Sequence, residues 1–213
     1  MSAEHLFAER GYNGVSLRDI ATEAGLSFAS IRYLFGSKEY LLLHVFQRLS
    51  ASIRDERKKR VKQVLDSNKG KQLEVTPLLA AALEPVFRLS RQNDTYRKLI
   101  GRSSTDPTVE IRRVANKTFE KSRLNIHKLL RSACPHLSRT EFYWRYFCYY
   151  GAMQYVLADV GRMQMIAGKD FDTSDPNTAL KYVIPFLTAG LSAPSTDLKE
   201  KPKRKKSAVK RNC

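Results

Sequence analysis

The sequence predicts an all-α fold: a small N-terminal three-helix unit followed by a larger helical domain. Three observations predict it. Apolar residues recur three and four apart through almost every segment. No stretch alternates apolar and polar residues between turn signals, as a strand would. Gly and Ser punctuate the first forty residues in the manner of helix caps. The 213 residues are 42% hydrophobic, enough for a sizeable core.

The elements follow in order. Leu6 and Phe7 belong to a short first helix that Gly11 ends. Ser16 caps a second helix, Leu17 to Ala24, with Leu17, Ile20, Ala21 and Ala24 on one face. Gly25 breaks it. Ser27 caps a third, Phe28 to Phe35, and Gly36 stops that one. Ser37 caps a fourth. No Gly or Pro follows Ser37 until Gly70, so this helix runs to near Asp66, on the order of 40 Å at 1.5 Å per residue. Beyond Gly70 the periodicity predicts helices near 76–91 (kinked at Pro85), 94–103, 107–134, 139–167 and 176–192. KDFDTSDPN, 169–177, is a polar loop. The division is therefore 1–48, 49–194, and a disordered basic tail over 195–213.

Net charge is +17 and pI about 9.9, which points to a polyanionic partner. The charge is unevenly placed. Residues 1–53 hold five basic residues (Arg10, Arg18, Arg32, Lys38, Arg48) and five acidic ones (Glu4, Glu9, Asp19, Glu23, Glu39). Basic residues cluster in RDERKKRVK, 54–62, and in the tail. The three cysteines, Cys134, Cys148 and Cys213, show no C-x-x-C spacing, so neither a disulfide framework nor a zinc site is expected. No apolar run is long enough to span a membrane, and MSAEHLFAERGY lacks the apolar core of a signal peptide. A cytoplasmic protein without a membrane partner is the expectation.

Residues 16–35 suit a helix-turn-helix. Ala21 is small where two helices cross, Gly25 allows a left-handed turn, and Ile31 fills the angle between the helices. In such a unit the second helix enters the major groove and its first residues meet base edges. Those residues are Ser27, Phe28, Ala29 and Ser30, with Arg32 and Tyr33 one turn on. Phe28 or Ala29 can pack on a thymine methyl, and Arg32 can read guanine or bind phosphate. Ser37 and Lys38, at the start of the fourth helix, can clamp a phosphate. The same spacing also suits an αα-hairpin with a solvated polar face. Spacing does not decide between them.

A resemblance does. Residues 6–42, LFAERGYNGVSLRDIATEAGLSFASIRYLFGSKEYLL, resemble the N-terminal domain of the TetR family of bacterial transcription regulators. FAERGY, SLRDIA, AGLS and the IRY-x-FGSKE stretch carry the likeness. It implies phosphate contacts by Ser16, Tyr33 and Lys38, and a base-reading set of Arg18, Ser27, Phe28, Ala29, Ser30 and Arg32. Two departures stand out: Leu34 replaces the family's usual His, and the family usually has further, often basic, residues before LFAERG.

LSRTEFYWRYFCYYGAMQYVLADVGRM and DPNTALKYVIPFLTAGLSAP resemble, less specifically, the C-terminal domain of regulators that respond to fatty acids or acyl-CoA. Gly151 and Ala152 allow close approach of another backbone, near Tyr155. Leu180, Val183, Ile184, Leu187 and Leu191 share a helical stripe. Both features suit a monomer core or a four-helix homodimer interface, and the resemblance favours the interface. Phe87, Tyr96, Phe119, Tyr146, Tyr149, Tyr150 and Met153 are candidates for an apolar effector pocket, or plain core. Gln154 or Arg145 could orient a ligand's polar head there. Arg145 equally suits an ion pair with Glu141.

The chain is not expected to be an enzyme. His5, His44, His127 and His136 form no metal-binding pair, and there is no G-x-S-x-G elbow or phosphate-binding glycine loop. No cofactor or metal is expected beyond a small apolar effector, for which the resemblance suggests an acyl-CoA or fatty acid. The expectation is a sequence-specific DNA-binding regulator, a ligand-released repressor that holds a palindromic operator as a dimer. Two alternatives stay open: non-specific nucleic-acid binding through the basic tail, and a ligand carrier that has lost operator binding.

Overall fold

Ser16, Ser27 and Ser37 each stand before a helix and offer a side-chain oxygen to its first free N–H groups, and the chain folds accordingly. The computed structural model describes residues 1–106, 108–122, 126–158 and 161–197. The expected disordered tail lies outside the described residues from 198 on, and so does the side chain of Phe119. Eleven helices and no strand occur among the described residues.

The reading head is α1 (Ser2–Arg10), α2 (Leu17–Glu23) and α3 (Phe28–Phe35). The long α4 (Lys38–Asn68) leaves it and continues into the body. The body is α5 (Val75–Gln92), α6 (Asp94–Thr105), α7 (Val109–Ser122), α8 (Ile126–Ala133), α9 (Arg139–Ala158), α10 (Arg162–Ala167) and α11 (Pro176–Ser192). Two expected helices are thus each two. The span 107–134 divides into α7 and α8. The span 139–167 divides before Gly161, whose left-handed conformation (φ 74°) starts α10 in a new direction.

The turn between α2 and α3 has a specific cause. Gly25 takes φ 66°, which lets the Leu26 N–H reach the Ala21 carbonyl at 2.9 Å and the Gly25 N–H reach that of Thr22 at 3.1 Å. This double bond pattern closes the end of α2 and aims α3 across it. Ile20, Ala21 and Ile31 are buried at the crossing.

α5 packs against α4 and α11, and α6 against α1 and α9. Phe87, Leu83, Leu130, Phe142 and Leu157 are buried at the centre. The reading head is joined to the body by Leu6 and Phe7 of α1, buried in the common core, and polar contacts add to this. Lys98 pairs with Glu9 at 2.6 Å, Arg102 donates to the Glu9 carbonyl at 2.9 Å, and Arg113 pairs with Glu39 at 2.9 Å. Arg48 on α4 grips the buried Glu4 of α1.

Candidate functional site

Three serines build the reading head by capping. Ser16 Oγ accepts the Asp19 N–H at 3.1 Å, while the Asp19 carboxylate accepts the Ser16 N–H at 2.7 Å. The Ser16 hydroxyl also donates to the Asp19 carboxylate at 2.7 Å, and this bond, with that from the Ser16 N–H, holds the Asp19 carboxyl below its ordinary range. Ser27 Oγ accepts the Ser30 N–H at 3.0 Å, and its own hydroxyl lies 2.8 Å from that of Ser30. Ser37 Oγ accepts the Tyr40 N–H at 3.1 Å. All three serines stay exposed, so each has helix-capping and surface roles together.

Around them the expected residues gather on one surface. Ala29, Ser30, Arg32 and Tyr33 are exposed along α3, Tyr33 at 90%. An exposed tyrosine of that degree has no packing role within the chain. The Arg18 guanidinium stands 5.3 Å from the centre of the Phe28 ring, so α2 and α3 share one cation–π contact at the head of the reading helix. Arg18, Phe28, Ser16 and Lys38 border an open depression floored by Asn13, Gly14 and Val15. Gly14 is required there: a Cβ would stand 2.4 Å from the Arg10 carbonyl oxygen. Leu34 is 59% exposed beside Tyr33.

Lys38 has a task that its position in the sequence did not reveal. Its Nζ donates to the carbonyls of Tyr12 at 2.8 Å and Val15 at 2.9 Å, and lies 4.1 Å from the centre of the Tyr12 ring. Burial lowers the ammonium pKa, opposed by the charge of Glu110. Two of its three N–H groups thus fasten the loop between α1 and α2 to the start of α4.

A second feature lies behind α4. Ser50, Ile53 and Arg57, on one stripe of that helix, face Ala82 and Val86 of α5, Tyr96 and Ile100 of α6, and Tyr146, Tyr149, Tyr150, Met153 and Gln154 of α9, with Ile126 of α8. They enclose a cavity of about 70 Å³. Six expected pocket residues meet here: Tyr96, Tyr146, Tyr149, Tyr150, Met153 and Gln154. Phe87 does not, being 1% exposed in the core. Arg57 was missed because in RDERKKRVK it reads as one more solvated charge.

Arg145 is a correction. It points away from the cavity and fastens the end of α11: its guanidinium donates to the carbonyls of Gly190 at 3.0 Å, Ala193 at 2.7 Å and Pro194 at 2.6 Å, and pairs with Glu141 at 2.7 Å. Glu141 also accepts from Ser195 and from the backbone and side chain of Thr196, and these bonds hold its carboxyl down at about 2.

The stripe on α11 is a second correction. Leu180, Leu187 and Leu191 are buried in the monomer core, and Val183 and Ile184 pack partly against it. A side chain already buried has no surface left to bury against a partner. The free apolar face is the opposite one. Tyr182 and Phe186 on α11 are 66% and 71% exposed. On α9, which packs against α11, Trp144, Gly151 and Tyr155 are exposed, and Tyr155 and Tyr182 border one cleft. Ala152 is half-buried and packs toward the core. Gly151 and Tyr155 are therefore on the free face, and Ala152 is at its edge.

The fold and the two features together define a helix-turn-helix transcription regulator with a helical second domain. Residues 2–45 match the family described as bacterial regulatory proteins, tetR family, and residues 80–190 match the tetracyclin repressor-like C-terminal domain. The chain belongs to the TetR family and is a regulator, not an enzyme. No curated protein sequence matches it. Among solved structures it is similar to the fatty acid degradation regulator FadR of Bacillus halodurans, with TM-score 0.61 and 18% identity over 89% of this chain and 95% of that one. FadR of Bacillus subtilis, solved with stearoyl-CoA, gives 0.59 and 18% over the same shares. A TetR-family regulator from Shewanella gives 0.58 and 19%, over 86% and 92%. These likenesses are of fold. Among the described residues no group of His, Cys, Asp and Glu is placed to hold a metal, and no helix is long and apolar enough to cross a membrane.

Proposed function

We propose that this regulator is a homodimeric repressor that releases its operator when an apolar effector binds behind α4. The observation that carries this reading is the course of α4. It starts at Lys38 in the reading head and forms one wall of the cavity at Ser50, Ile53 and Arg57. Nineteen residues of continuous helix separate Lys38 from Arg57, about 28 Å at 1.5 Å per residue. A ligand that moves the wall moves the head.

In the bound state α3 of each subunit lies in a major groove, and the twofold axis matches a palindromic operator. Ser16, Tyr33 and Lys38 contact phosphates. Arg18, Ser27, Phe28, Ala29, Ser30 and Arg32 face the bases. The dimer forms through Trp144, Gly151 and Tyr155 of α9 with Tyr182 and Phe186 of α11, an apolar face that solvent otherwise covers. The protein acts in the cytoplasm. The effector is an acyl compound, a fatty acid or an acyl-CoA, since the B. subtilis structure of the same fold holds stearoyl-CoA. A ligand shifts the equilibrium only by its difference in affinity for the two states. Operator release by roughly 100-fold requires about 2.7 kcal/mol of coupling.

The test is fluorescence anisotropy with DNA from upstream of the protein's own gene, against scrambled DNA of equal length at about 0.15 M salt. Tight binding to the native DNA alone, relieved by acyl compounds, is the expected result. Equal weak binding to both sequences refutes the reading.

A further inference from the structure

The cavity behind α4 gathers Arg57, Tyr96, Tyr149 and Gln154 among the apolar side chains of Ile53, Val86, Ile100 and Met153. Arg57 is part-buried in its wall, and its Nε donates to the Ala82 carbonyl at 3.0 Å. That carbonyl lies one residue from the one that Pro85, lacking an N–H, leaves without its helical partner. Arg57 makes no ion pair among the described residues, and no Asp or Glu lines the cavity. Its neighbour Arg60, by contrast, pairs with both Glu56 and Glu84.

Two buried phenols, Tyr96 and Tyr149, share the wall. Burial pushes both hydroxyls far up, and the nearby charge of Arg57 pulls them partly back. Gln154 is buried beside them and donates to Tyr150 Oη at 3.3 Å. A cation and hydroxyl donors that enclose space without a carboxylate make an anion site.

The enclosed space is about 70 Å³. At ~30 Å³ per water molecule that is room for about two waters, or one carboxylate. Past Tyr146 and Tyr150 a wider cleft of about 480 Å³ opens between His127, Tyr143 and Phe147. Tyr143 and Phe147 are 46% and 68% exposed, so aromatic surface continues the apolar lining out to the mouth. An acyl-CoA that enters tail-first needs its cation at the mouth, whereas Arg57 lies in the small cavity and no Lys or Arg among the described residues lines the cleft.

We propose that the effector is a free carboxylic acid bound head-inward: its carboxylate pairs with Arg57 and the tyrosine hydroxyls, and its apolar body lies in the cleft of His127, Tyr143 and Phe147. This rests on the cavity being the effector site. It also explains how occupancy reaches DNA. The charged end of the ligand bonds directly to α4, the helix that carries the reading head, and the polar contact discriminates acids from their neutral analogues.

The experiment is isothermal titration calorimetry on the full chain with decanoate, decan-1-ol and decanoyl-CoA. It is run on wild type, Arg57→Gln and Arg57→Lys, with circular dichroism melts to verify folding. Wild type binds decanoate at least tenfold more tightly than decan-1-ol. Arg57→Gln loses at least tenfold for decanoate and leaves decan-1-ol unchanged, and Arg57→Lys recovers part of the loss. Should Arg57→Gln fail to fold, the wild-type preference for acid over alcohol decides, together with Tyr149→Phe, which weakens decanoate selectively. Decanoate binding unchanged in Arg57→Gln overturns the proposal. So does wild-type binding of decanoyl-CoA without decanoate, which leaves the effector site standing and reverses the ligand. Binding of none of the three overturns both.

Discussion

Replacing Lys38 by Met separates two roles that a lysine at this position can have. A lysine that only contacts phosphate stabilises nothing in the free protein. Lys38, however, holds the carbonyls of Tyr12 and Val15 at 2.8 and 2.9 Å. Hydrogen bonds from a charged donor contribute about 1.5–3 kcal/mol each, and the side chain is only part-buried, so the lower figure applies. Two such bonds give about 3 kcal/mol. In a chain of this size each kcal/mol shifts the midpoint by roughly 2–4 °C, so the melting temperature falls by about 6–12 °C. Met keeps the aliphatic stem against Tyr12, which confines the change to the polar contacts. Differential scanning calorimetry of the free protein reads the shift. Anisotropy against native and scrambled DNA at several salt concentrations reads the phosphate role. A midpoint within a degree of wild type, with the salt slope reduced by about one, would show that Lys38 is a phosphate contact alone, and the loop-fastening argument would be refuted.

Three further outcomes are expected. Phe186→Glu places a charge on the free apolar face of α9 and α11, and sedimentation should show a monomer where wild type is a dimer; a dimer in both would move the interface elsewhere. Glu141 is held at about 2 against an ordinary 4.5, so the unfolded chain takes up this proton first and the group's stabilisation, full above 4.5, is lost as pH falls toward 2. Melting temperatures of wild type should therefore fall more steeply than those of Glu141→Gln between pH 4.5 and 2, and parallel curves would contradict the assignment. Tyr33→Ala should weaken native and scrambled DNA about equally, whereas Arg32→Ala should change which operator variants are preferred; identical effects of the two would end that division of labour.

The reading head was legible because local chemistry decides it. Ser16, Ser27 and Ser37 cap helices whatever the rest of the chain does, and Gly25 at φ 66° turns the chain with no help from tertiary contacts. The body was less legible because packing decides it. Gly161 sits within an apolar pattern that reads as helix, yet the chain turns there. On α11 the aliphatic stripe of Leu180, Leu187 and Leu191 and the aromatic pair Tyr182 and Phe186 are both apolar, and periodicity does not say which one faces the core. Arg145 and Glu141, four apart, carried the correct alternative, an ion pair, but the carbonyls that hold Arg145 come from 190–194 and only the fold brings them there. Lys38 and Arg57 were opaque for the same reason. Each reads as surface charge, and each acquires its meaning from a distant carbonyl.

Those two residues also mark the two ends of one lever. At Lys38, α4 is fastened to the α1–α2 loop, so the reading head follows the first turn of the helix. At Arg57, the same helix bonds to the Ala82 carbonyl of α5, so the body sets where the helix lies. Between them Arg48 grips Glu4, which joins α1 to the same helix. The head is held to the body by the buried Leu6 and Phe7 of α1, which packs on α6, and by the pair of Lys98 with Glu9, a contact of a kind that contributes little and can be exchanged at small cost. On the proposed reading, a shift of α4 carries α1 and α3 with it and exchanges the Lys98–Glu9 pair. On the proposed reading, a ligand at Arg57 acts within α4, where the body sets the helix's position. It needs no path through the core, because the helix it touches is the one that carries α3.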